Sequence, residues 1–353
     1  MQPHNGLKSA KDFADSIRYS GDCIEGIRPV DYRAEESYGL MKNHFYANEL
    51  LISESVTPTL YQAISRVLKR LSIQSESVSA FVYASSEINA HCLLSSSSEC
   101  ILRFSSGLIE LLSENELEFI VAHELGHFLF EHVGDSRSNS EVDIEGVIQL
   151  RAQEISADRI GLVGCESLDI AIKAILKTVS GLSDQYLRFD ISKFVSQLQE
   201  IAGEDTLSVE FSHPSMLVRC RALLWFSMSH VYLDVNDYNS NDLKTLDERV
   251  KVDMDRYVDS SSRKLIEFAK FETAMWMAAY SIIQKDKFTK DDQSKFETAF
   301  GKKSLISLIQ LVSELDKRES DDFIFSQLTT ARKNLEGMIP ATFNKEISKL
   351  QWS

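Results

Sequence analysis

The run His-Glu-Leu-Gly-His at residues 123–127 constrains the fold most, because it places two imidazoles four residues apart. On a helix this spacing puts both side chains on one face, one turn apart. The flanking sequence is typical of a helix, with a capping-box pattern at Ser113 and Glu116 and apolar residues at helical spacing after it. The apolar residues are Leu117, Ile120, Val121, Leu125, Phe128 and Leu129. We therefore expect a helix that presents His123 and His127 part-buried at the wall of a cleft.

Two histidines so placed can bind one zinc ion, and Glu124 between them can reach a water molecule on that ion. A catalytic zinc site has three protein ligands and one open position. Glu154 is the candidate third ligand, because it lies 27 positions after His127 (154 − 127) in a second helical pattern that can pack antiparallel to the first. Asp158, one turn further on, is expected to accept a hydrogen bond from a ligating histidine. The alternatives are hydrogen-bonded core histidines and, at Asp158, a solvated helix charge.

A third motif, Ser212-His213-Pro214-Ser215, precedes another helical pattern that contains Arg219. Pro214 restricts His213 to extended geometry. A histidine fixed at the entrance of a helix is well placed to donate a hydrogen bond to an oxyanion.

These three motifs in this order, the third completed by Arg219, resemble zinc metallopeptidases of the HtpX and CAAX prenyl protease type, which are gluzincins. The resemblance covers residues 55–230. It implies one zinc ion per chain, bound by His123, His127 and Glu154. Further roles implied by the resemblance are Glu124 as general base, Asp158 in support of a ligand, and His213 and Arg219 as groups that support the site.

The segment ahead of the histidines extends the same resemblance. Ile88-Asn89-Ala90 and the later Cys100–Phe104 are similar to the region where an edge strand and a short helix lead into the zinc-binding helix. Asn89 and Ala90 would then lie on the strand that faces the substrate. His91 stands where many relatives carry an aromatic residue, and we interpret it as a rim residue rather than a ligand.

No stretch of the chain approaches 18 uninterrupted apolar residues, so no transmembrane helix is expected. The N-terminus lacks a basic segment followed by an apolar one, as a signal peptide would have. Five scattered cysteines, an odd number, favour reduced thiols in a soluble cytoplasmic protein. The net charge of −15 argues against nucleic acid as the main partner.

The organisation predicted for these 353 residues has four parts. They are an N-terminal extension (1–54), a zinc metallopeptidase domain (55–230), a polar linker (231–247) and a helical C-terminal domain (248–353). Only 5 prolines and 14 glycines favour helices over a turn-rich β protein. The predicted fold class is therefore mainly α with a small β-sheet (α+β).

The predicted function is zinc-dependent endopeptidase activity on protein or peptide substrates. Two alternatives remain. One is a metal-binding but catalytically silent chaperone or scaffold of the same fold. The other is a protease kept latent by residues 1–50 or by the C-terminal helices, which could also bind a regulatory partner or a second copy.

Overall fold

The computed structural model describes residues 10–23, 35–94, 99–132, 143–187, 190–197, 214–233, 240–285 and 288–350. Within these residues the chain is mainly helical and contains one small mixed sheet, which confirms the predicted fold class. The first elements are α1 (Ala10–Ile17), a 3₁₀ turn (Ser20–Asp22), α2 (Glu35–Asn48), β1 (Leu50–Leu51), α3 (Pro58–Arg70), β2 (Val78–Tyr83), β3 (Ala90–Leu94), β4 (Cys100–Ser105) and α4 (Ser106–Leu111). The elements after them are α5 (Glu114–Leu129), α6 (Ile144–Cys165), α7 (Leu168–Ser180), α8 (Ile191–Ser196), α9 (Met216–Ser227), α10 (His230–Leu233), α11 (Ser240–Tyr257), α12 (Ser260–Ile283), α13 (Lys290–Glu314), α14 (Lys317–Met338) and α15 (Phe343–Lys349).

The sheet has the strand order β1-β2-β4-β3, which leaves β3 at an edge. β2 and β4 are parallel, whereas β3 runs antiparallel to β4 with Ala90 opposite Phe104 and Leu94 opposite Cys100. The segment 88–90, predicted to lead into an edge strand, is followed by β3, which begins at Ala90. The edge strand packs against α5, so the sheet supports one side of the histidine helix.

Helix α5 begins as its sequence predicts. The Ser113 side chain accepts a hydrogen bond from the Glu116 backbone N–H, and the Glu116 carboxylate accepts one from the Ser113 N–H at 2.8 Å. This reciprocal pair satisfies two backbone donors that the helix itself cannot pair. The helix is buried along most of its length, as its apolar pattern indicates.

Small residues let α5 and α6 approach closely. A Cβ atom added at Gly126 would lie 3.0 Å from the Cα of Ala157, and one added at Gly164 would lie 2.1 Å from the Cβ of Ala122. The later residue of α5 in these two contacts, Gly126, faces the earlier residue of α6, Ala157, so the two helices run antiparallel. Residues 27 positions apart in sequence are thereby brought into contact across two helices.

The N-terminal segment 10–23 packs onto this helix pair. Phe13, Ala14 and Ile17 of α1 are buried in the main apolar core. Arg159 of α6 donates a hydrogen bond to the carbonyl of Ile17 at 3.0 Å, and the N–H of Tyr19 donates to the Ser156 hydroxyl at 3.1 Å. The segment is thus tied to α6 by its backbone as well as by its apolar side chains.

The C-terminal helices form two further apolar clusters. One lies among α12, α13 and α14, and the other joins Ile144 of α6 to α12, α14 and α15. Helix α11 begins at Ser240, inside the segment predicted as a linker, and Leu246, Val250 and Met254 belong to the main core. The four domain boundaries remain a prediction, and residues 234–239 of that linker lie outside the described residues.

Candidate metal centre

His123 and His127 of α5 and Glu154 of α6 bring three potential ligand atoms together. The two Nε2 atoms lie 3.2 Å apart. A Glu154 carboxylate oxygen lies 3.6 Å from Nε2 of His123, and the other oxygen lies 3.4 Å from Nε2 of His127. His123 and Glu154 are buried, and His127 is half-buried. In the part of the chain that the structure describes, these three residues form the one group of His, Cys, Asp and Glu side chains whose ligand atoms lie close enough together to bind a metal ion.

The distances between the three ligand atoms fit tetrahedral coordination of one metal ion. Metal–ligand bonds of about 2.0–2.1 Å give ligand atoms that are ~3.3 Å apart at a tetrahedral centre. Two imidazole nitrogens and a carboxylate that converge in this way suit a cation between them, because each neutral imidazole nitrogen and the carboxylate can offer a lone pair. The donor set and its spacing therefore fit zinc.

Asp158, one turn after Glu154, contacts the first histidine. Its Oδ1 lies 3.0 Å from Nδ1 of His123. Arg219 of α9 donates to both oxygens of Asp158, at 2.8 and 2.6 Å, and its third nitrogen lies 3.5 Å from Glu154. Burial would raise the pKa of Asp158, but the charge and hydrogen bonds of Arg219 and the hydrogen bond of His123 lower it. Asp158 is thus held as a carboxylate that can accept the Nδ1–H of His123, which leaves Nε2 free as a ligand.

The second histidine has a different partner. Nδ1 of His127 lies 3.0 Å from Nδ1 of His132, and Nε2 of His132 lies 2.9 Å from a carboxylate oxygen of Asp22. Burial lowers the pKa of His132 to about 4, against the opposing effect of Asp22. Burial would also lower the pKa of His127, but its hydrogen bond to Glu154 and the nearby negative charges raise it. His132 is therefore a neutral imidazole between a ligand candidate and a buried carboxylate.

The end of α5 explains how His132 reaches His127. Glu131 adopts a left-handed conformation with a φ of 53°. The N–H of Glu131 donates to the carbonyl of Phe128, and the N–H of His132 donates to the carbonyl of His127 at 2.9 Å. These two bonds form a Schellman motif, which turns the chain back onto the last turn of the helix.

Sequence reasoning missed both His132 and Asp22. A left-handed residue at a helix end is usually glycine, and here it is glutamate, so the turn has no sequence signal. Asp22 lies 110 positions before His132 (132 − 22), in the segment predicted as an N-terminal extension to which no metal-site residue was assigned.

Glu124 is half-buried on the same turn of α5. Its charge is among the causes that raise the pKa of His127 and of Cys92 on the edge strand. Glu124 thus lies on the helix that contacts β3, close enough for its charge to act on both His127 and Cys92.

The edge strand carries the predicted substrate residues. Ala90 is the first residue of β3, and Asn89 immediately precedes it. Asn89 donates its N–H to the Ser105 hydroxyl at 3.1 Å and accepts a hydrogen bond from the Ser105 N–H at 3.0 Å. His91 is exposed and stacks on Tyr83, and it is not part of the group formed by His123, His127 and Glu154.

His213 lies outside the described residues. The structure describes the chain again from Pro214, and the N–H of Arg219 donates to the carbonyl of Ser215 in the first turn of α9. The role of His213 therefore remains a prediction from sequence.

Part of the chain, including the two histidines, is similar to a known family of peptidases. Residues 54–149 match the model of peptidase family M48. The M48 match includes His123, Glu124 and His127 and ends before Glu154, Asp158 and Arg219. It supports a zinc metallopeptidase of the gluzincin type that acts on protein substrates.

No curated protein and no solved structure matched the chain in the corresponding searches. None of the helices in the described residues combines the length and the apolar character needed to span a lipid bilayer.

Proposed function

We propose that this chain is a zinc-dependent endopeptidase in which His123, His127 and Glu154 bind the metal and Glu124 is the general base. The observation that carries the proposal is that the three ligand atoms lie within 4.8 Å of one another. The M48 match includes the two histidines but ends before Glu154, so the third ligand is supported by the structure and not by the match. The finer likeness to HtpX and CAAX prenyl proteases rests on the order of the three sequence motifs. A prenylated substrate does not follow from that likeness.

The chemistry expected at this site is amide hydrolysis. A zinc ion in such a set supplies a Lewis acid that lowers the pKa of water from about 15.7 towards 7. The Glu124 carboxylate accepts a proton from the attacking water and passes it to the leaving amine. His213 is proposed to donate a hydrogen bond to the oxyanion, and loss of one such donor typically costs about 10²–10³ in rate.

Asp158 and Arg219 are proposed to hold the ligands in place. The carboxylate of Asp158 fixes the ring of His123, and Arg219 fixes that carboxylate from the other side. Arg219 also neutralises part of the negative charge where Glu154 and Asp158 lie side by side.

The outer edge of β3 is proposed to bind the substrate backbone as an added strand. Because Asn89 is bonded to Ser105 of β4, alternation along an antiparallel strand directs the backbone groups of Ala90, Cys92 and Leu94 to the open edge. No other strand among the described residues pairs with that edge. An extended peptide could thus hydrogen-bond to β3 and pass in front of Glu124.

The silent-scaffold alternative would leave Glu124 without a role. It predicts a chain that binds zinc and leaves unfolded casein intact. The latent-protease alternative predicts that removal of the N-terminal or C-terminal segments increases casein hydrolysis, and equal activity with and without them would exclude it.

The decisive experiment compares Glu124→Gln with Glu110→Gln, a change at an exposed glutamate of α4. Both variants should retain zinc by metal analysis. Casein hydrolysis should fall by about 10²–10⁴-fold in Glu124→Gln, as expected for loss of a general base, and stay unchanged in Glu110→Gln. Unchanged hydrolysis by zinc-loaded Glu124→Gln would remove Glu124 from the mechanism.

A further inference from the structure

Asp22 lies far from the family-matched segment in sequence, yet it reaches the candidate metal centre. Its side chain is completely buried at the end of the 3₁₀ turn Ser20–Asp22. One carboxylate oxygen, Oδ2, accepts hydrogen bonds from Nε of Arg18 at 3.0 Å and from Nε2 of His132 at 2.9 Å. The residue is part of the segment held on α6 through Ile17 and Tyr19.

The hydrogen bonds around His132 fix which ring nitrogens carry protons. An ionised carboxylate only accepts hydrogen bonds, so Nε2 of His132 must be the donor to Asp22. Nδ1 of His132 lies 3.0 Å from Nδ1 of His127, so one of the two nitrogens donates and the other accepts. A His127 that offers Nε2 to the metal carries its proton on Nδ1 and is therefore the donor. With its proton on Nδ1, His127 presents the lone pair of Nε2 to His123 and Glu154.

We propose that Asp22 and His132 are positioning residues for the metal centre, which together hold His127 in the tautomer and ring orientation that bind zinc. The inference rests on the proposed zinc site. It extends that site by two residues, one of which, Asp22, lies outside the stretch matched to family M48.

The two ligating histidines are thereby oriented in different ways. His123 donates directly to Asp158, whereas His127 donates to an imidazole that donates in turn to Asp22. The intermediate ring is itself held by packing, because His132 stacks on Phe130 with ring centroids 5.1 Å apart. Arg18 covers the Phe130 ring at 5.1 Å, so the N-terminal segment supports His132 by charge and by packing.

The test measures zinc affinity of the full-length chain by competition with a chromophoric chelator. Asp22→Ala removes the acceptor, and His132→Phe keeps a ring of similar shape without nitrogens. Each should bind zinc about 10–100-fold more weakly, as is typical when a hydrogen-bond partner of a metal ligand is lost. Asp22→Asn keeps an acceptor oxygen and should recover most of the affinity.

The matched control is Asp253→Ala. Asp253 is also a buried carboxylate paired with an arginine, Arg221, and none of its hydrogen bonds or ion pairs within the described residues involves a histidine. Its loss should lower stability, measured by thermal unfolding of the zinc-free chain, and leave the zinc affinity of the folded chain unchanged.

A second readout reports the tautomers directly. Histidine ¹⁵N chemical shifts of the zinc-loaded chain should show His132 protonated at Nε2 and His127 protonated at Nδ1. His132 should lose its single tautomer in Asp22→Ala. This measurement tests the proposal at Asp22 even if His132→Phe does not fold.

The outcomes separate the two proposals. A wild-type chain that binds no zinc would overturn the proposed function. A wild-type chain that binds zinc, with Asp22→Ala folded and equal to it in affinity, would overturn the role of Asp22 and His132 alone. Equal weakening in Asp253→Ala would also overturn it, because the effect would then be one of general stability.

Discussion

Gly126 of α5 lies directly against the backbone of Ala157 in α6, so that a Cβ atom at position 126 would be 3.0 Å from the Cα of Ala157. Glu154 lies one turn before Ala157 on the same helix, and its carboxylate lies 3.4 Å from His127. The close approach of the two helices therefore brings the carboxylate to the histidines. The site depends on how the helices pack as much as on the motif.

The first prediction tests this packing at the glycine with least space. Gly164→Ala would place a methyl group 2.1 Å from the Cβ of Ala122. Despite a gain in helix propensity of about 1 kcal/mol, we expect the free energy of unfolding to fall, because overpacking typically costs about 1–3 kcal/mol and here the clash is severe. Chemical denaturation of the zinc-free chain measures the change. The double variant Gly164→Ala/Ala122→Gly should recover part of the loss, and simple additivity of the two single changes would contradict a direct contact.

The second prediction concerns the carboxylate that holds His123. Both oxygens of Asp158 accept hydrogen bonds, so the amide of Asp158→Asn must turn its NH₂ group towards a donor, Arg219 or His123. Zinc affinity should fall by about 10–100-fold. The matched control is Asp253→Asn, because Asp253 forms a similar two-oxygen pair with Arg221 away from the site. Wild-type affinity in Asp158→Asn would show that the carboxylate does not orient His123.

The third prediction concerns the edge strand. Cys92→Pro removes a backbone N–H that faces the open edge of β3, and Cys92→Ala makes a similar change of side chain but keeps that N–H. Loss of one hydrogen bond of about 0.5–1.5 kcal/mol should lower kcat/KM for a peptide about 2–10-fold in the proline variant relative to the alanine variant. Zinc affinity should be equal in the two. Equal kcat/KM would indicate that the substrate does not bind along β3.

The fourth prediction follows from the buried thiols. Burial raises the pKa of Cys165 to about 11 and that of Cys220 to about 12, whereas Cys23 is exposed. The ionised fraction of a thiol falls about tenfold for each unit by which the pH lies below its pKa. At pH 8 about 0.1% or less of each buried thiol is therefore ionised. Labelling of the native chain with a thiol reagent, followed by peptide mapping, should modify Cys23 first. Equal labelling rates at pH 8 would contradict the burial of Cys165 and Cys220.

Local signals predicted much of the fold around the site. The capping box at Ser113 and Glu116 and the helical spacing after it predicted α5. A second helical pattern was predicted around Glu154, and α6 carries that residue. These features depend on residues within one or two turns of each other, which a sequence pattern can report.

The parts that were missed depend on long-range contacts or on unusual local geometry. Glu131 adopts the left-handed conformation without being glycine, so nothing in the sequence indicated that His132 turns back to His127. Asp22 joins the site only because segment 10–23 packs on α6. The polar composition of 231–247 predicts a linker, and that boundary remains a prediction, although α11 begins at Ser240 and packs Leu246 into the main core.

The most direct test of the central claim is a crystal structure of zinc-loaded Glu124→Gln, with anomalous scattering measured at the zinc edge. The account predicts one strong peak bonded to Nε2 of His123, Nε2 of His127 and the carboxylate of Glu154. A zinc ion bound elsewhere, or a Glu154 side chain that points away from the two histidines, would contradict it.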